Sequence, residues 1–141
     1  MNVNKIAKIM VKKYGLNDPL EIALAKGIIL LEEDLKGVLS YSHTYKRQSF
    51  IHLNKDSSLK VKRVLCACEL GHLILNPKED IHLIDDVSLR AKNDFEKYAK
   101  LFAAHLLIPD KILKEHEKES PEAISKSLNL PLDIVLLKLN S

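Results

Sequence analysis

The chain has no tryptophan and only four glycines and two cysteines among its 141 residues. Cys66 and Cys68 stand two apart on what reads as one helix, so their side chains diverge and a disulfide between them is disfavoured. A reducing compartment, the cytosol, is the expectation. Arginine is also scarce, with only Arg47, Arg63 and Arg90 present. The net charge of +3 comes from 22 basic and 19 acidic residues that are interleaved, without a basic block. Phosphate and base contacts favour arginine, so this lysine-rich surface argues for solubility rather than for nucleic-acid binding. No apolar run approaches the roughly 18 residues of a membrane span, and Met1-Asn2-Val3-Asn4-Lys5 opens an amphipathic segment rather than a signal peptide. No G-x-S-x-G, internal repeat or low-complexity stretch occurs.

With 46% hydrophobic residues, the chain can build one ordinary core. The expected division is a domain over residues 1–117 and a C-terminal helical pair over 118–141. Apolar residues at Val3, Ile6, Ile9, Met10 and Tyr14 predict a first helix stopped by Gly15. Asp18-Pro19 predicts a second, Pro19 to Lys26, ending at Gly27. Ile28 to Leu31 reads as a short strand leading into an acidic turn, Glu32-Glu33-Asp34. Gly37 to Thr44 and Gln48 to Leu53 read as a hairpin about Tyr45-Lys46-Arg47. Ile81 to Val87 is a loop or a short strand. Leu89 to Ile108 reads as a long helix with a stripe through Phe95, Ala99, Phe102, Ala103 and Leu106, ended by Pro109. Lys111 to Glu117 reads as a charged turn of helix, and Pro121 to Leu128 with Leu132 to Leu139 as a last pair. The order of elements predicts an α+β fold, mainly helical, with a small antiparallel sheet packed on one central helix.

That central helix is Val61 to Pro77, and it carries the chemistry in Cys68-Glu69-Leu70-Gly71-His72. In the pattern H-E-x-x-H, two imidazoles four residues apart share a helical face and bind zinc, and the glutamate between them acts as base on a metal-bound water. Here the first position is Cys68, a residue with two readings. A thiolate can bind zinc, although its charge makes the ion a weaker Lewis acid; alternatively Cys68 is a small apolar core residue.

Taken with Asp18-Pro19-Leu20-Glu21-Ile22, Gly37, Ile51-His52-Leu53-Asn54 and Phe102-Ala103-Ala104-His105-Leu106-Leu107-Ile108-Pro109, this motif gives a chain that resembles the ImmA/IrrE family of zinc metallopeptidase-like proteins over nearly its whole length. The resemblance is closest to the short members encoded by phages and integrative elements. It implies Glu69 as the base, His72 and Cys68 at two ligand positions, and Tyr98 at the position of the third ligand, a glutamate in the family. Two of three expected ligands are thereby replaced. Glu96 and Asp94 are the nearby acids, but Glu96 is turned about 200° from Tyr98 on a helix and is expected to face solvent. The resemblance further implies a helix-turn-helix repressor as protein partner, held in a groove between the central helix and Phe95 to Pro109. Zinc is then weakly held or absent, and the expected protein is a regulator with little peptidase activity. An active zinc peptidase using Cys68, His72 and Glu96 is the alternative.

Of the remaining histidines, His52, His82, His105 and His116 show no metal-site spacing, and His105 reads as a core or rim residue with a backbone partner. A Cys68–His72 nucleophilic pair lacks any nameable oxyanion donor. The tail from Ile124 to Val135 has a helix-turn-helix cadence, but its second helix presents leucines, with Lys138 alone basic, and so predicts packing rather than base reading.

Overall fold

The computed structural model describes residues 2–15, 17–75, 81–84 and 94–141, and for Asp94 and Phe95 the backbone alone. Expectations for 89–93, 76–77 and 85–87, and for the side chains of Asp94 and Phe95, lie outside the described residues.

Helix α1 spans Val3–Tyr14, capped by Asn2 at one end and closed by Gly15 in the left-handed conformation at the other. Helix α2, Pro19–Ala25, starts under Asp18, whose carboxylate accepts from the Leu20 and Glu21 amides. Among the described residues four strands follow in a mixed sheet: β1 Ile29–Glu33, β2 Ser40–Tyr45, β3 Gln48–Asn54 and, beyond helix α3 (Leu59–Leu75), β4 Ile81–Ile84. Their spatial order is β1-β3-β2-β4. The hairpin is present, but β1 runs parallel to β3, so the sheet is mixed rather than antiparallel. Glu32 and Glu33 pair with Leu53 and Asn54 as strand residues and form no turn. Pairing with β3 extends the strand through both acids, whose side chains stay half in solvent.

Helix α4, Asp94–Leu107, packs across α3 and is followed by α5 (Asp110–Glu115), α6 (Pro121–Leu128) and α7 (Leu132–Leu139). Gly71 sets the α3–α4 distance, since a Cβ there would lie 2.9 Å from both the Ala99 carbonyl oxygen and Phe102 Cδ1. At that level the two helices are in close contact. One core joins Val3, Ile22, Ile51, Leu65, Phe102 and Leu106 to Ile124, Ile134 and Val135 of the last helices. Among the described residues, no helix is long and apolar enough to cross a membrane.

Strand alternation sorts the sheet into two faces. Ser40, Ser42, Ile51, Leu53, His82 and Ile84 share the inner face toward α3, while Tyr41, His43, Phe50 and His52 share the outer one.

Candidate active site

Ser58 Oγ accepts from the Val61 amide at the start of α3, and the helix then runs through an unbroken buried stretch from Val64 to His72. Glu69 sits within that stretch and is fully buried. Removing a lone carboxylate from water costs several kcal/mol even after relaxation, so its partners decide whether this is tolerable. Three donors supply them. Ser40 Oγ donates to Oε2 at 2.7 Å, and Ser42 Oγ and His82 Nδ1 donate to Oε1 at 2.8 and 2.7 Å. The period of β2 puts both serines on the inner face, and the β2–β4 register sets His82 opposite Ser42.

His72, 2% exposed, stacks on His82 with ring centroids 3.8 Å apart and planes 19° from parallel. An imidazole lone pair lies in the ring plane, so two stacked rings do not aim at a common ion. Burial, and secondarily the Glu69 charge, push the Cys68 thiol up to about 12, which keeps it protonated. Burial likewise raises Cys66, and both cysteines are free.

Glu96 does not face solvent. Its side chain is 12% exposed and pairs with Lys100 Nζ at 3.5 Å, the lysine itself being 5% exposed. The helical offset from Tyr98 is real, but α4 is covered by α1, α3 and α7, so a residue turned away from one face meets another element. The charges of both Glu96 and Lys100 reach Cys68. Tyr98 is half-buried against the core. Among the described residues, no group of three or more His, Cys, Asp or Glu converges on a point that a metal could occupy. In this arrangement Cys68, His72 and Glu96 are not aimed at one ion, and so do not fit the three-ligand zinc site that the motif implies.

His105 has a side-chain partner rather than a backbone one: Lys138 Nζ lies 2.9 Å from its Nδ1 and also pairs with Asp110 at 2.6 Å. Burial, then the lysine charge, lower the His105 pKa. Lys138, the only base of the last helix, is thus buried and unavailable to a phosphate. Sequence reasoning placed Cys68, Glu69 and His72 on one helix, where the structure has them buried, but missed Ser40, Ser42, His82 and Lys100. The serines had a signal, since two hydroxyls at alternate positions of a predicted strand share one face; His82 had none.

Residues 23–139 match the IrrE N-terminal-like domain family. The chain is similar to the metallopeptidase ImmA of Bacillus subtilis strain 168, at 30% identity over 138 residues covering 93% of this chain and 80% of that protein. It is also similar to immunity region protein 2 of Bacillus phage phi105, at 27% identity over 109 residues covering 77% of this chain and 69% of that protein. With a match of this extent, laid over a helix that carries Glu69 and His72 against a small sheet, the chain belongs to the IrrE N-terminal-like domain family.

Proposed function

We propose that this chain is a cytosolic regulator of a phage or related mobile element, built on a metallopeptidase scaffold without efficient peptidase activity, which binds a helix-turn-helix repressor and does not cut it. The observation that carries the reading is the state of Glu69. A general base needs a lone pair directed at the water it deprotonates. Here the carboxylate is fully buried, and three of its roughly four acceptor positions are filled by Ser40, Ser42 and His82. The phage immunity-region protein and ImmA, as relatives, support the regulatory setting. The test is co-purification with a helix-turn-helix repressor encoded beside this chain, using wild type and Glu69→Gln. Intact repressor retained by both supports the reading, whereas repressor that is cleaved by wild type and spared by Glu69→Gln overturns it.

One observation favours the zinc peptidase alternative: Glu96 is drawn into the protein near Cys68 instead of lying in solvent. Zinc content discriminates. Near-stoichiometric zinc that survives dialysis and is lost in each of Cys68→Ser, His72→Ala and Glu96→Gln would support Cys68, His72 and Glu96 as ligands.

A further inference from the structure

The outer face of the sheet holds a second cluster of histidines, separated by the sheet itself from Glu69. His43 on β2 and His52 on β3 are diagonal neighbours, with His43 opposite Phe50 and Tyr41 opposite His52. Their Nε2 atoms lie 3.0 Å apart. The ring centroids are 5.1 Å apart and the planes 19° from parallel. That centroid separation exceeds the Nε2 separation by about two ring radii, so the imidazoles meet nearly head to head, with each Nε2 facing the other in the ring plane. This is the opposite of the His72–His82 stack, where the rings lie face to face.

The orientation of both rings is held. Tyr41 stacks on His52 at 4.0 Å and Phe50 on His43 at 4.8 Å, each within 8° of parallel. Glu33 Oε1 lies 2.5 Å from His52 Nδ1. The carboxylate fixes the proton of His52 on Nδ1 and leaves its Nε2 as an acceptor, which His43 Nε2–H now occupies. A carboxylate on the far nitrogen is the arrangement that orients histidine ligands and raises their basicity in metal sites.

We propose that His43 and His52, with Glu33 as the positioning residue, form a site for a divalent transition-metal ion of the zinc, nickel or copper type on the outer face of the sheet, with water completing the coordination. Two nitrogens bound to a tetrahedral zinc stand about 3.4 Å apart. The pair therefore needs to open by a few tenths of an ångström from 3.0 Å and the rings to tilt so that both Nε2 lone pairs meet at the ion instead of facing each other, with the His43 proton moving from Nε2 to Nδ1. Imidazole nitrogen selects such ions over magnesium and calcium, which take oxygen ligands. The aromatic clamps supply the preorganisation that a flexible surface pair of histidines lacks.

The test is titration of the full-length, metal-stripped protein with zinc chloride, followed calorimetrically and by the nitrogen resonances of the histidine rings. Wild type is expected to bind one equivalent at this face, with the Nε2 resonances of His43 and His52 shifting together. The same binding persists in His72→Ala, is lost in His43→Ala and in the more conservative His43→Asn, and weakens by roughly tenfold or more in Glu33→Gln. Circular dichroism confirms that each variant is folded, and His43→Asn keeps the test valid if the alanine variant is not. No binding up to millimolar zinc, binding unchanged in His43→Asn, or binding abolished by His72→Ala would each overturn the proposal. The last outcome would place the ion beside Glu69 and so bear on the peptidase question instead.

Discussion

The two faces of one sheet each carry a glutamate bonded to a histidine, and the surroundings differ. On the inner face Glu69 and His82 meet at 2.7 Å, with the carboxylate fully buried and two serine hydroxyls added to it. On the outer face Glu33 and His52 meet at 2.5 Å, with the glutamate 47% exposed. Water can replace a lost partner on the outer face and cannot on the inner one. The inner pair is therefore structural by necessity, because its removal strands polar atoms in a dry interior. The outer pair contributes little to stability and leaves an imidazole nitrogen directed toward something else.

Breaking the inner pair should have the largest effect. Glu69→Ala strands the two serine hydroxyls and His82, and is expected to cost about 3 kcal/mol, read as a drop in urea midpoint at unchanged slope. A loss below about 1 kcal/mol would put Glu69 in the same class as Glu33. Next comes the packing that keeps the inner face dry. In Gly71→Ala the added methyl meets the Ala99 backbone, which cannot rotate away, so about 2 kcal/mol should be lost despite the better helix propensity of alanine. Thermal unfolding of the single variant checks it.

The hairpin that carries residues of both faces can be strengthened. Lys46 and Arg47 occupy its two-residue turn with φ of 50° and 68°, a left-handed conformation that suits Asn-Gly. Lys46→Asn with Arg47→Gly should add about 1 kcal/mol, seen as a higher melting temperature with the histidine geometry of both faces preserved. On the outer face, Glu33→Ala should cost less than about 1 kcal/mol, so that the ratio of its effect to that of Glu69→Ala measures the difference between the faces directly.

An ion pair away from both faces serves as a reference for exposure. Hydrogen bonds from Lys138 and then Lys8 hold Asp110 at about 2, below its ordinary 3.8. The folded value is the depressed one, so its contribution is complete above pH 3.8 and lost as the pH falls toward 2. Because Asp110 is half-exposed, the amount should stay below about 1 kcal/mol. Acid titration of stability in wild type and Asp110→Asn should show a constant difference above pH 3.8 that closes as the pH falls toward 2.

The sequence by itself determined the segmentation of the chain and the helix that carries Glu69, His72 and Cys68. Capping residues, glycine stops and apolar spacing act between near neighbours, which is why Asp18-Pro19, Gly15 and the final pair Pro121–Leu128 and Leu132–Leu139 appear in the structure where they were expected. Tertiary structure alone decided what surrounds Glu69. Ser40 and Ser42 reach it across 29 and 27 residues, and the strand carrying His82 pairs with β2 on the far side of α3 in sequence. A one-residue change of register would turn those side chains to the other face. The burial of Glu96 and Lys100 depended in the same way on how many neighbours cover α4. Helical periodicity states which residues share a face, but whether that face meets water or another helix is settled only when the elements pack.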